Sequence, residues 1–98
     1  MAKAYISEYD RLPFFSGMAL PTGPEPAAVE QVVTFTTSTQ SAAFGANTKF
    51  IRVHPDAICS YEFGLNPTAT TSTPRMAASS TEFFAVRPGD KVAFVTNT

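Results

Sequence analysis

A chain of 98 residues has room for one domain and one core, and at this size it buries roughly 60–68% of the surface that its unfolded form exposes. Its net charge is −1, and its basic residues (Lys3, Arg11, Lys49, Arg52, Arg75, Arg87, Lys91) are scattered, which disfavours a groove that tracks a nucleic-acid backbone. No stretch approaches the ~20 apolar residues of a membrane-spanning helix, and the single cysteine, Cys59, excludes an internal disulfide.

The chain starts Met-Ala-Lys-Ala-Tyr-Ile-Ser-Glu, which turns polar at once and lacks the apolar core of a signal peptide. Synthesis in a cytoplasm is therefore expected. Residues 1–28 read as an arm: a short β-like start from Ala4 to Ser7, then a segment broken by Pro13, Pro21, Pro24 and Pro26. Proline lacks the amide donor and clashes with the preceding turn, so this segment is expected to run extended along a surface.

Residues 29–98 form the expected β core. Glu30 to Thr37 alternates Val33 and Phe35 against Val32, Thr34 and Thr36, residue types that suit a pleated surface. Ser38 to Asn47 reads as a connection with Phe44 tucked inward. Lys49 to His54 places Ile51 and Val53 on one face and Phe50, Arg52 and His54 on the other. Pro55-Asp56-Ala57 then turns the chain, and Ile58 to Phe63 returns with Cys59, Tyr61 and Phe63 in phase. Two alternating runs across so short a turn predict a hairpin. The Thr-rich stretch from Gly64 to Pro74 has no apolar period and predicts a long surface loop. A short strand at Arg75 to Ala77 and another at Thr81 to Arg87 follow. Pro88-Gly89 supplies the two central residues of a turn, and Lys91 to Asn97 closes the domain. The sum is an all-β domain, an antiparallel β-sandwich or jelly-roll-like barrel of six to seven short strands with an extended N-terminal arm.

Residues capable of chemistry are few. His54 and Cys59 are each alone of their kind and flank the Pro55 turn. A Cys–His pair can build a nucleophile, but Cys59 keeps register with Tyr61 and Phe63 as a core thiol does, and no third orienting group is evident. One His and one Cys cannot supply the three or four ligands of a nitrogen- and sulfur-bound metal. The carboxylates Glu8, Asp10, Glu25, Glu30 and Asp90 do not pair and read as solvated surface. The expectation is a protein with no catalytic site, no metal and no cofactor.

The arm carries the functional weight of the sequence. Tyr5, Tyr9, Phe14, Phe15 and Met18 place five large side chains in a segment that cannot build its own core layer. They either cap one end of the sandwich or anchor a partner, since exposed apolar patches mark interfaces and aromatics dominate their energetics. If they are such anchors, deleting residues 1–18 removes binding and leaves the β fold intact.

Four blocks carry a resemblance over nearly the whole chain: the Ala2 to Tyr9 start, FIRVHPDAICSYEFG, NPTATTSTPRMAASSTEFFAV and the closing PGDKVAFV. Together they resemble small proteins encoded in the structural-gene regions of tailed phages and prophages. The resemblance implies a virion protein on the capsid surface, a decoration or cement protein of β-sandwich or jelly-roll type. Its partners would be the major capsid protein or another virion protein, and copies of itself as a dimer or trimer. No site residues follow from the resemblance. Two other readings stay open: a neck, tail or fibre-base component, and a host-surface or glycan-binding module that uses the Gly64 to Ser80 loop.

Overall fold

The computed structural model describes residues 2–10 and 27–97, with the backbone alone of residues 14–15 and 18–19. The first strand, β1 (Ala2–Tyr9), is eight residues long. Its apolar residues alternate: Ala4 and Ile6 are buried, whereas Tyr5 is exposed. That period of two turns one edge-to-edge row of side chains inward and the next outward. β1 lies between β4 (Val29–Phe35) and β6 (Phe50–Pro55), antiparallel to both, and β9 (Glu82–Ala85) completes this first sheet in the order β4-β1-β6-β9. The expected extended arm over 1–28 is therefore corrected for residues 2–9. The prolines begin only at Pro13, and they leave the alternation before them free to make an interior strand. Deleting residues 1–18 would remove the strand that joins β4 to β6.

The second sheet has the order β5-β10-β7-β8, from β5 (Thr39–Gln40), β7 (Cys59–Gly64), β8 (Arg75–Met76) and β10 (Lys91–Thr96). A separate two-stranded pair joins β2 (Phe14–Phe15) to β3 (Met18–Ala19). The all-β expectation holds among the described residues, with eight strands in the two sheets rather than six or seven. The difference comes from β5, which lies in the segment expected to be a connection. Both sheets contribute to one core: Ala4, Ile6, Val33, Phe35, Ile51 and Val53 from the first pack with Cys59, Met76, Val92 and Phe94 from the second. Across the middle, Phe35 and Phe94 stack with ring centroids 5.5 Å apart.

The expected hairpin over Lys49–Phe63 is not formed, because β6 and β7 belong to different sheets. Both edges of β6 are taken, one by β1 and the other by β9. The β1 pairing even runs past the end of β6: Asp56 N–H donates to the Lys3 carbonyl at 2.9 Å, and Lys3 N–H donates to Asp56 Oδ1 at 2.7 Å. Pro55-Asp56-Ala57 is thus a corner that carries the chain between sheets. The Pro88-Gly89 turn forms as expected. Asp90 N–H donates to the Arg87 carbonyl at 3.2 Å and Gly89 takes φ 85°, the left-handed value that the third residue of a type II turn requires.

The carboxylate of Glu8 organises the end of β1. Expected as solvated, it is only 1% exposed. Gln31 Nε2 donates to its Oε2 at 3.0 Å, while Gly45 N–H and Thr48 Oγ1 donate to its Oε1 at 2.9 and 2.8 Å. Gln31 Oε1 in turn accepts from Ala42 N–H at 3.0 Å. One carboxylate thereby ties β1, β4 and the 41–48 segment together. A buried charge is tolerable only when its lone pairs are filled in this way.

Glu8→Ala leaves the donors on Gln31, Gly45 and Thr48 without their acceptor, and a loss of about 3 kcal/mol is expected. Glu30→Ala, on an exposed site of β4, should change stability by about 0.5 kcal/mol or less. Urea unfolding of both variants checks the contrast, and equal small losses would remove Glu8 from this role.

Candidate interaction surface

The two sheets differ in what covers their outer faces. On the second sheet, Ser60 and Ala93 point away from the core, since their neighbours Cys59, Val92 and Phe94 point into it. Both are nevertheless fully buried. The segment 65–74 folds over them. Gln40 Nε2 donates to Asn66 Oδ1 at 2.7 Å and to the Pro67 carbonyl at 2.9 Å, Ala69 N–H donates to Ser38 Oγ at 3.0 Å, and Asn97 Nδ2 donates to the Thr71 carbonyl at 3.2 Å. Within this segment Pro67 and Ala69 are buried. The surface loop expected over Gly64–Pro74 is thus stitched down as a cover.

The outer face of the first sheet is open at its centre. Register places Val32, Tyr5 and His54 in one row, and Glu30, Ser7, Arg52 and Phe83 in the next. Val32 is 53% exposed, Tyr5 46% and Phe83 45%. Arg52 lies exposed between them, its Nη2 donating to Ser7 Oγ at 3.3 Å. A shallow depression of about 450 Å³ runs between Tyr5, Val32, Glu30 and Arg52. At the end of the sheet Tyr9 stacks on Phe50 (centroids 5.0 Å), and Phe50 meets Phe83 at 6.3 Å.

Of the residues singled out in the sequence as anchors, Tyr5 stands on this open face. Tyr9 does not: at 1% exposure, and paired in register with Phe50, it is packed rather than presented. The side chains of Phe14, Phe15 and Met18 lie outside the described residues. The structure adds Val32, Phe83 and Arg52. Val32 already fell on the outward phase of β4. Phe83 and Phe84 are consecutive in a strand, so one of them has to face outward, and the register sends Phe84 to the core side with Ile51.

The remaining chemistry does not converge. His54 sits on the outer face of the first sheet, with Nδ1 2.9 Å from Thr81 Oγ1, whereas Cys59 lies in the core of the second. Burial, and then the nearby Glu82 carboxylate, push the Cys59 thiol from its ordinary 9.0 up to about 11, so it stays protonated at neutral pH. Tyr61 is raised by the same burial, then by Glu82 and Cys59. Asp90, expected as solvated, is buried and accepts from Arg87 Nε at 3.2 Å. Among the described residues no cluster of three or more His, Cys, Asp or Glu can hold a metal ion, and no helix is long and apolar enough to cross a membrane. Compared with known proteins, the chain matches no family model, no curated protein and no solved structure.

The raised Cys59 value fixes a sign. Below pH 9 the thiol is protonated in both the folded and the unfolded chain. From there to about pH 11 only the unfolded chain releases its proton, so native stability falls as pH rises. The slope from this group is at most ~1.4 kcal/mol per pH unit. Unfolding of the wild type and Cys59→Ala between pH 8 and pH 11 should show the steeper decline in the wild type; parallel declines would contradict the assignment.

Proposed function

We propose that the chain is a non-catalytic structural protein of a tailed-phage particle, a decoration protein that docks on the outer capsid shell. The docking surface is the outer face of β4-β1-β6-β9. The observation that carries this reading is the exposed group of Tyr5, Val32 and Phe83 around Arg52. Apolar patches of this kind on a small domain mark protein interfaces, and aromatic and arginine side chains are the ones that anchor them. The opposite face is closed by the 65–74 segment, which leaves one large face for contact and one for solvent.

The virion setting comes from the four sequence blocks. The winding of the chain agrees with it. The connections β4–β5, β5–β6, β6–β7, β8–β9 and β9–β10 all pass from one sheet to the other. We read the pair of sheets as a jelly-roll sandwich whose closing strand has moved to the front of the chain as β1. Jelly rolls serve as capsid and lectin domains, and the choice between such roles rests on the surface rather than on the fold. On a shell the same modest contact is repeated at every equivalent site, and linked copies bind at high effective concentration.

Shells assembled without this chain, mixed with the purified protein and sedimented, test the reading. Wild-type protein should co-sediment. Phe83→Asp and Arg52→Glu, both at exposed positions, should each weaken binding by about tenfold or more, with unchanged circular dichroism. Thr70→Glu on the covered face should bind as wild type. Failure of the wild type to bind, or loss on Thr70→Glu alone, would overturn the proposal.

A further inference from the structure

We infer that the free edge of β4 is the seam of a two-fold homodimer, in which β4 pairs antiparallel with β4 of a second copy and joins two first sheets into one. The inference concerns the free protein and stands or fails without a shell. It goes beyond the docking face by assigning the contact between copies.

Hydrogen-bond phase decides which groups the edge offers. Asp56 N–H bonds to the Lys3 carbonyl in the β1–β6 register, so the odd-numbered residues of β1 bond toward β6. In an antiparallel ladder the even-numbered ones then bond toward β4, where their partners are Val29, Gln31, Val33 and Phe35. The N–H and C=O groups of Glu30, Val32 and Thr34 therefore aim away from β1. No strand among the described residues pairs with that side. Such a row of donors and acceptors is a template for another strand. The other edges are short: β9 has four residues, and β5 and β8 have two each, against seven in β4.

The sequence of β4 is complementary to itself. With Val32 on the two-fold axis, outward-bonding residues meet outward-bonding residues over the full strand: Val32 faces Val32, and Glu30 faces Thr34. The only charge on β4, Glu30, meets no like charge. Shifting the pairing by two residues on each strand, to set Glu30 opposite Glu30, would bring like charges together, which disfavours it. In the favoured register the outer row reads His54, Tyr5, Val32, then Val32, Tyr5, His54 of the second copy, a continuous apolar centre. The next row reads Arg52, Ser7, Glu30, then Thr34 and Lys3 of the second copy. With strands ~4.8 Å apart, Glu30 lies within reach of that lysine across the small Thr34. Apolar row and charge row agree on one register, and an interface that pairs a strand with itself closes as a dimer rather than a trimer.

Sedimentation velocity on the full chain is the test, with Val32→Lys and Val32→Pro. Lysine places like charges on the axis. Proline removes only an N–H that points to the open edge, a position where edge strands tolerate it. The wild type should run at the mass of two chains, and both variants as single chains with unchanged circular dichroism. Val32→Cys supplies a direct readout: opposed Cα atoms in a hydrogen-bonded pair lie ~5.5 Å apart, inside disulfide range, so mild oxidation should give a covalent dimer while buried Cys59 stays reduced. A monomeric wild type, dimers that survive both Val32→Lys and Val32→Pro, or a Val32→Cys chain that does not cross-link would overturn the inference.

Discussion

Strand β1 is held on both edges, by β4 and by β6, and a slip of one residue against either would turn its side chains inside out. Ala4 and Ile6 would leave the core, Tyr5 and Ser7 would enter it, and Glu8 would lose the donors of Gln31, Gly45 and Thr48. The rest of the architecture depends on this register. It fills one edge of β6, and with β9 on the other edge β7 has to join the second sheet. It also sets which residues of β4 aim their backbone groups at solvent. Glu8 locks the register at one end of β1, and the Lys3–Asp56 pair of hydrogen bonds locks it at the other.

Much of the β character was legible from alternation alone. Val33 and Phe35, Ile51 and Val53, and Val92 and Phe94 all lie in the core, as their spacing implies. The Pro88-Gly89 turn was legible because proline and glycine have backbone requirements of their own. Partner choice was not. A short turn between two alternating runs is compatible with a hairpin and with a corner between sheets, and what decides is whether both edges of β6 are already occupied, as they are by β1 and β9. Strand β1 was not legible as an interior strand because the prolines from Pro13 onward mark the N-terminal segment as extended.

The candidate surface was legible only in part. Tyr5 stood out as a large side chain in a segment with no core of its own, and it does lie on the open face. Tyr9 has the same chemistry but sits where Phe50 packs against it, a difference that no local pattern encodes. Phe83 and Arg52 belong to the surface through cross-strand neighbours far away in sequence. The burial of Glu8 was not legible for a related reason. Carboxylates are rarely buried, and the donors that make its burial possible come from 23, 37 and 40 residues away.

Two sheets thus share one core and differ outside it. One carries its own cover from 65–74, and the other presents Tyr5, Val32, Arg52 and Phe83 to solvent. The core thiol is held protonated, and His54 lies on the outer face of the other sheet. An image reconstruction of the tailed-phage particle proposed to carry this chain tests the account most directly. The account predicts density for the chain on the outside of the shell, with the β4-β1-β6-β9 face against the capsid and the 65–74 segment toward solvent. Density with the 65–74 segment against the shell, or a particle without the chain on its outer surface, would contradict it.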